Sequence, residues 1–272
     1  MMDDNIRIAI TGGQGRMGRS LILAAQQKHM NLGGVLVKPG SSVIGRDVGE
    51  LIGSYKFNIK ISDNLYSIID DFDLLIDFTN TQATMKYLDI CLKYKKPMVI
   101  GTTGFNQTEQ DLINRVSQEI AIVLSANFSI GMNIVLKLLE KTAKVIGSNS
   151  DIEIIEKHHS RKIDAPSGTA LVMGKTIANV MNLDFDKHKV CKREGIIGER
   201  KKQSIGLSTV RAGDIIGEHT AIFASIGEII EINHKVSSRM NFAIGAIKAA
   251  EWLKYKKYGL FDMCDVLNLS CL

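Results

Sequence analysis

Short apolar runs alternate with amphipathic segments through the first half of the chain. Residues 6–10 form an apolar run with the length of a buried strand, and residues 16–27 follow with apolar side chains at helical spacing. Helical patterns over 81–94 and 108–118 give connections of the length that parallel strands require. The pattern therefore predicts an α/β fold with a doubly wound parallel sheet. Four further apolar runs would supply its other strands: 34–37, 74–78, 98–100 and 120–124.

The pattern changes after Gly131. Helices are predicted over 132–146 and 168–181, and a strand with one polar face lies between them at 151–156. Three β-like stretches then follow without crossover helices, which favours an antiparallel or mixed sheet in a second, α+β domain. These stretches are 208–211, 220–224 and 229–233.

These changes predict domain boundaries. We expect a first domain over 1–130 and a second over 131–239. The last helical pattern, 242–253, fits either a cap on the second domain or a return to the first, and periodicity alone leaves both open. We expect the segment 240–272 to return to the first domain.

The composition is that of a folded chain without membrane spans. Among 272 residues, 34 Lys and Arg against 29 Asp and Glu give a net charge of +5, which suits a small anionic ligand as well as nucleic acid. No aromatic residues accompany the basic residues of 192–202, so we expect a solvated loop there and no nucleic-acid partner. The acidic, polar start of the sequence leads us to expect a cytoplasmic protein. Four scattered cysteines are expected to be reduced and structural: Cys91, Cys191, Cys264 and Cys271.

A glycine-rich segment follows the first predicted strand directly and opens the first helix. Glycines at 12, 13, 15 and 18 allow a tight turn and a close approach of the backbone to a pyrophosphate, and the helix directs free N–H groups at the anion. The alternative is an ordinary glycine-rich turn, but the strand before and the helix after favour a Rossmann-type dinucleotide site. The predicted pyrophosphate contacts are Gly12, Gly13, Gln14, Gly15, Arg16 and Met17.

The second predicted strand bears on the choice of dinucleotide. NAD sites usually carry a carboxylate at its end, whereas this chain has Val37 and then Lys38, a cation suited to the 2′-phosphate of NADP. We expect NADPH to bind at least as well as NADH; the alternative is that Lys38 faces water. Residues after two later strands are expected beside the nicotinamide: Gly101, Thr102, Thr103, Ser125, Ala126, Asn127 and Phe128.

The segment from Glu156 to Ala170 concentrates titratable side chains where a strand ends and a helix begins. Adjacent histidines on a strand point to opposite faces, so we predict no metal site. A histidine in this segment suits proton transfer, and a lysine or arginine beside it suits binding of a carboxylate or a developing anion. Ser167 has N-cap character, and free N–H groups at Gly168 and Thr169 could hold a carboxylate. The alternative is a capped helix beside a solvated basic loop.

The chain resembles the 4-hydroxy-tetrahydrodipicolinate reductase family, also called the dihydrodipicolinate reductases. The resemblance spans nearly the whole chain, and the stretch from His158 to Ala170 is its most specific part. The matching segments are 12–18, 78–79, 101–105, 126–129, 158–170, 193–195, 198–200, 211–214, 217–220 and 237–239.

The resemblance implies reduction of 4-hydroxy-tetrahydrodipicolinate, or the dihydrodipicolinate formed from it, to tetrahydrodipicolinate by NADH or NADPH in the diaminopimelate route to lysine. It implies a proton donor at His158, a second catalytic residue at Lys162, and substrate contacts at His159, Gly168 and Thr169. It also implies a homotetramer formed through the second sheet. Two departures affect the adenosine end: Val37 replaces an acidic residue, and Asn80 stands where some members have arginine.

Two other classes of protein fit parts of the sequence. An aldehyde dehydrogenase working through a thioester would need an activated cysteine, and no cysteine stands at a strand end or helix start. A dinucleotide-sensing regulator could bind nucleic acid through residues 192–202, but the 158–170 segment would then have no role.

Overall fold

The computed structural model describes residues 6–269. Within this range the chain divides into two compact units: the first contains residues 6–130 and 239–269, and the second is Gly131–Ser238. No helix in the described range is both long and apolar enough to cross a bilayer. The strands are β1 (Arg7–Ile10), β2 (Asn31–Val35), β3 (Leu74–Asp77), β4 (Met98–Ile100), β5 (Ala121–Leu124), β6 (Asp151–His158), β7 (Lys189–Val190), β8 (Ile205–Arg211), β9 (Gly217–Ser225), β10 (Glu228–Val236) and β11 (Gly259–Phe261).

The helices follow the predicted amphipathic segments closely, with short helices added between them. The α-helices are α1 (Arg16–Gln27), α2 (Val48–Ile52), α3 (Thr81–Lys93), α4 (Gln107–Val116), α5 (Ile130–Ile146), α6 (Gly168–Val180), α7 (Phe185–His188), α8 (Met240–Leu253) and α9 (Met263–Val266). Two 3₁₀ helices cover Leu65–Ile68 and Gly147–Asn149.

The first unit is built on a six-stranded sheet in the order β11-β5-β4-β3-β1-β2. Every pairing in it is parallel, so the predicted Rossmann-type sheet is confirmed. Helices α1 and α8 cover one face and bury apolar residues such as Leu21 and Ala246. On the other face, α3 and α4 bury Leu88 and Ile113. The side chains of the β3 residues are buried, as expected for a strand covered on both sides.

The second unit contains a five-stranded sheet in the order β10-β9-β6-β8-β7. Strand β6 pairs antiparallel with β9 and parallel with β8, so of the two predicted alternatives the sheet is mixed. The apolar face of β6, with Ile152 and Ile154, packs against α5 and α6 to form the core of this unit.

Candidate active site

Close backbone packing shapes the glycine-rich turn between β1 and α1. Gly12 has a φ of +66°, in the left-handed region that favours glycine. A Cβ on Gly18 would lie 2.3 Å from the Gly12 carbonyl oxygen, so α1 can approach the turn only with glycine there. The N-cap of α1 is Gly15, which has no side chain to cap the first N–H groups. The turn therefore fits a pyrophosphate.

Three cavities lie along the carboxyl ends of the parallel strands. One cavity of about 450 Å³ is lined by the glycine turn and residues 126–128. A second, of about 490 Å³, is lined by residues 101–104. The third, about 590 Å³, contains Lys38 and Asn80. Most predicted cofactor residues line these cavities: Gly12, Gly15, Arg16, Met17, Lys38, Gly101, Thr102, Thr103, Ala126, Asn127 and Phe128.

Three predicted cofactor residues line none of these cavities. Gly13 is buried, and a Cβ there would lie 2.2 Å from Val35 Cγ1. Gln14 is exposed and its Oε1 accepts a hydrogen bond from Ser41. The Ser125 hydroxyl donates to the backbone oxygen of Asn127. These contacts help to shape the turn and the strand-end loop.

Sequence reasoning missed several residues of the Lys38 cavity. Lys86, Tyr66 and Tyr87 line it beside Lys38. The helical spacing of Ala83, Tyr87 and Ile90 could have revealed this face of α3, since it begins at the end of β3. The cavity thus contains two lysines where the sequence alone pointed to one.

A buried carboxylate, also missed, connects the strand ends beneath the cavities. Asp77 is fully buried at the end of β3. Its Oδ1 accepts hydrogen bonds from the Thr11 and Thr79 hydroxyls at 2.5 and 2.7 Å. Its Oδ2 accepts from Thr84 at 2.5 Å and from Thr102 at 3.2 Å. One carboxylate therefore joins the glycine turn, the loop after β3 and the loop after β4.

In the second unit, His158 is the last residue of β6 and lies against a buried carboxylate. His158 Nδ1 is 2.5 Å from Oε2 of Glu156, whose side chain is fully buried. Arg211 at the end of β8 binds the same carboxylate through both terminal nitrogens, at 2.9 and 2.7 Å. Burial by itself raises the pKa of Glu156, but the hydrogen bonds from Arg211 and His158 lower it to about 2.

Lys162 and the start of α6 lie in the same segment as His158. The Lys162 ammonium binds both carboxylate oxygens of Asp164, at 2.6 and 2.9 Å, and holds the pKa of that carboxyl below its usual range. The Ser167 hydroxyl accepts from the Ala170 N–H and caps α6, as predicted from sequence. Gly168 is exposed with open space beside it, and Thr169 and His159 are half-buried.

The structure also gives evidence on two other kinds of chemistry, metal binding and a cysteine thioester mechanism. Within residues 6–269, no group of three or more His, Cys, Asp or Glu side chains could hold a metal ion. Cys91 and Cys191 carry free thiols, and burial raises the pKa of the Cys91 thiol. Cys271 lies outside the described residues. A thioester mechanism therefore has no support from Cys91, whose burial disfavours the thiolate.

A dinucleotide turn in one unit and a histidine–lysine segment in another are typical of a dinucleotide-dependent oxidoreductase. Comparison with known proteins is more specific. The family model described as dihydrodipicolinate reductase, N-terminus, matches residues 6–128, and the model for its C-terminus matches residues 131–267. The chain belongs to the dihydrodipicolinate reductase family. It is an NAD(P)H-dependent oxidoreductase that reduces dihydrodipicolinate in the diaminopimelate route to lysine.

Solved structures agree with this assignment. A dipicolinate-bound dihydrodipicolinate reductase from Paenisporosarcina sp. TG-14 is 25% identical, with a TM-score of 0.76 over 96% of this chain and 98% of that one. A probable dehydrogenase from Thermotoga maritima, at 10% identity and a TM-score of 0.62, covers 96% and 92% of the two chains. An amine dehydrogenase from Mycobacterium smegmatis, at 9% identity and a TM-score of 0.59, covers 94% of both. The last two show a shared fold alone.

Proposed function

We propose that His158 and Lys162 perform the reduction, with the substrate in the second unit and NAD(P)H in the first. The observation that carries this proposal is the state of the His158 ring. Its Nδ1 is held by Glu156, while its Nε2 has no hydrogen-bond partner within residues 6–269. A histidine held on one nitrogen and open on the other is suited to deliver a proton to a bound substrate.

The remaining residues of the segment would bind the carboxylates of the substrate. Lys162 is already paired with a carboxylate, that of Asp164, so its ammonium is placed for an anion that exchanges with this internal partner. Gly168 and Thr169 begin α6, and their N–H groups fit a second carboxylate. His159 follows the proton donor directly and would contact the substrate. A small dicarboxylate is thus the substrate class that these groups favour, and the relative bound to dipicolinate supports it.

The first unit fits the dinucleotide because Gly12 and Gly18 let the turn and the start of α1 pack closely, and because Gly15 leaves the first N–H groups of α1 without a side-chain cap. When bound, NAD(P)H supplies the hydride. The turn residues and the first N–H groups of α1 would hold the pyrophosphate, and residues 101–103 and 125–128 would bind the nicotinamide end. His158 then supplies the proton that completes the reduction, so one hydride and one proton are added to the substrate.

We further propose that NADPH is preferred over NADH. Lys38 and Lys86 line one cavity together with one carboxylate, Asp63, so cations outnumber anions among its lining residues. Val37 stands where NAD sites usually carry a further carboxylate. Replacing Lys38 by alanine is expected to raise the KM for NADPH about 10-fold and leave the KM for NADH unchanged. Lys60→Ala, an exposed lysine outside this cavity, is the matched control. Equal effects of Lys38→Ala on both cofactors would contradict the preference.

The catalytic proposal is tested by oxidation of NADPH and NADH with substrate generated by the preceding synthase from pyruvate and aspartate semialdehyde. His158→Gln is expected to lower kcat by about 100-fold or more, with the Kd for NADPH unchanged. His188→Gln serves as control, because His188 lies in the same unit and its ring hydrogen-bonds to the backbone oxygen of Gln203, away from His158. A normal kcat for His158→Gln would show that another group donates the proton.

The second sheet also supports an oligomer. The face of this sheet opposite α5 and α6 carries partly or fully exposed apolar side chains, Ile155, Val210, Ile222 and Ile229. Such a face needs a cover, and we propose that a homotetramer provides it. Light scattering after gel filtration would show a tetramer that Ile229→Lys converts to smaller species.

We also propose that the enzyme works in the cytoplasm, which cell fractionation would test.

A further inference from the structure

The carboxylate of Glu156 is fully engaged by its neighbours. Oε1 accepts hydrogen bonds from the Ser167 N–H at 3.0 Å, the Thr209 hydroxyl at 3.1 Å and Arg211 at 2.7 Å. Oε2 accepts from Arg211 at 2.9 Å and contacts His158 Nδ1 at 2.5 Å. These partners come from β6, β8 and the segment before α6, so the carboxylate is fixed from several directions.

Ionisation of Glu156 decides which nitrogen of His158 carries a proton. An ionised carboxylate only accepts hydrogen bonds, so Nδ1 of His158 must be the donor. In the neutral ring Nε2 is then left as the acceptor, and in the charged ring Nε2 carries the transferable proton. The bidentate ion pair with Arg211 keeps Glu156 ionised although it is buried.

The surroundings of Nε2 leave that nitrogen accessible. A Cβ on Gly217 would lie 3.2 Å from His158 Nε2, so glycine at this position keeps the space beside the nitrogen open. The His219 ring packs edge-on against His158 with centroids 5.2 Å apart. Burial and the neighbouring His158 lower the pKa of His219 to about 4, so His219 adds no positive charge at neutral pH.

The same carboxylate also fixes the start of α6. Ser167 donates its N–H to Glu156, and its hydroxyl lies 3.0 Å from Nε2 of His219. Gly168 and Thr169, which we propose as carboxylate contacts, follow Ser167 directly. The positions of the proton donor and of the substrate-binding N–H groups are thus set by one side chain.

We infer that Glu156 is a positioning residue for the reduction: it holds His158 as the Nδ1–H form and keeps Nε2 directed at the substrate. This inference rests on the proposed role of His158. The competing view is that Glu156 only stabilises the sheet. Glu153 distinguishes the two views, because it lies on the same strand and makes a bidentate pair with Arg193 at 2.7 Å for both contacts, without a histidine partner.

The first test compares Glu156→Gln with Glu153→Gln. Glu156→Gln is expected to lower kcat by about 10- to 100-fold while the KM for NADPH stays unchanged, as is typical when the group that orients a functional histidine is lost. Glu153→Gln is expected to keep kcat within about twofold of the wild type. Equal kcat values for the two variants would overturn the inference.

The second test does not depend on how any Glu156 variant folds. Nitrogen-15 NMR of histidine-labelled wild-type protein, with the His158 signals assigned from their loss in His158→Gln, reports the tautomer directly. The Nδ1–H form is expected for neutral His158, and the Nε2–H form would overturn the inference. If His158→Gln keeps its kcat, the proposed function fails; if it loses activity while Glu156→Gln does not, only the role of Glu156 fails.

Discussion

Replacing Asp77 by alanine would remove the acceptor that four threonine hydroxyls share beneath the cofactor cavities. Some of these hydroxyls have a second acceptor. Thr84 also lies 2.9 Å from the Asn80 carbonyl oxygen, and Thr11 lies 3.4 Å from that of Ile76. The Thr79 and Thr102 hydroxyls donate only to Asp77 within residues 6–269. The substitution therefore leaves two hydroxyls without an acceptor.

The expected loss of stability follows from these contacts. A hydrogen bond to a charged group contributes about 1.5–3 kcal/mol, so two unreplaced bonds correspond to about 3 kcal/mol or more. At about 2–4 °C per kcal/mol for a protein of this size, the unfolding midpoint should fall by about 6–12 °C. Asp77→Asn keeps the shape of the side chain and one acceptor oxygen. Its unfolding midpoint should therefore lie between that of Asp77→Ala and that of the wild type.

Thermal unfolding followed by circular dichroism, together with NADPH titration, measures both consequences. Because Thr11 precedes the glycine turn and Thr79 and Thr102 line the cavities, the Kd for NADPH should rise about 10-fold in Asp77→Ala. Asp73→Ala is the control, since Asp73 binds Arg7 at an exposed position. If both alanine variants unfold at the same temperature, the buried network contributes no more than an exposed ion pair, and the reasoning is wrong.

Three further predictions follow from the geometry. Gly217→Ala should lower kcat about 10-fold without changing the Kd for NADPH, because its methyl group crowds His158 Nε2; an unchanged kcat in steady-state assays would contradict this. Gly18→Ala should abolish NADPH binding in calorimetry, since its Cβ would lie 2.3 Å from the Gly12 carbonyl oxygen. His219, neutral when folded with a pKa of about 4, binds a proton on unfolding, so wild-type stability should fall as pH drops from about 6.5 to 4. His219→Gln should flatten this dependence in denaturant titrations at each pH, and an equally steep dependence would refute the assignment.

Local sequence was sufficient for features that depend on neighbouring residues. The glycine turn and the Ser167 cap of α6 were predicted because each depends on residues within one turn of a helix. The second strand was predicted at 34–37 but covers Asn31–Val35, because pairing with β1 selects residues that are not all apolar. Very short elements such as α7 have too few residues to show a period.

Features that depend on pairing between distant strands could not be predicted in the same way. Arg211 meets Glu156 across 55 residues because β6 and β8 align His158 with Arg211, and nothing in either segment specifies that register. His219 is likewise buried against His158 only through the register of β9 with β6. Lys86 joins Lys38 only because α3 begins at the end of β3.

The division of the first unit between the two ends of the chain has a consequence for synthesis on the ribosome. Strand β11 pairs with β5, and helix α8 supplies Ala243, Ala246 and Ile247 to the core beneath the glycine turn. These residues emerge from the ribosome after all of Gly131–Ser238, so the second unit can fold while the first is still incomplete. The nascent chain therefore gains a finished dinucleotide-binding core only after the whole second unit has been synthesised.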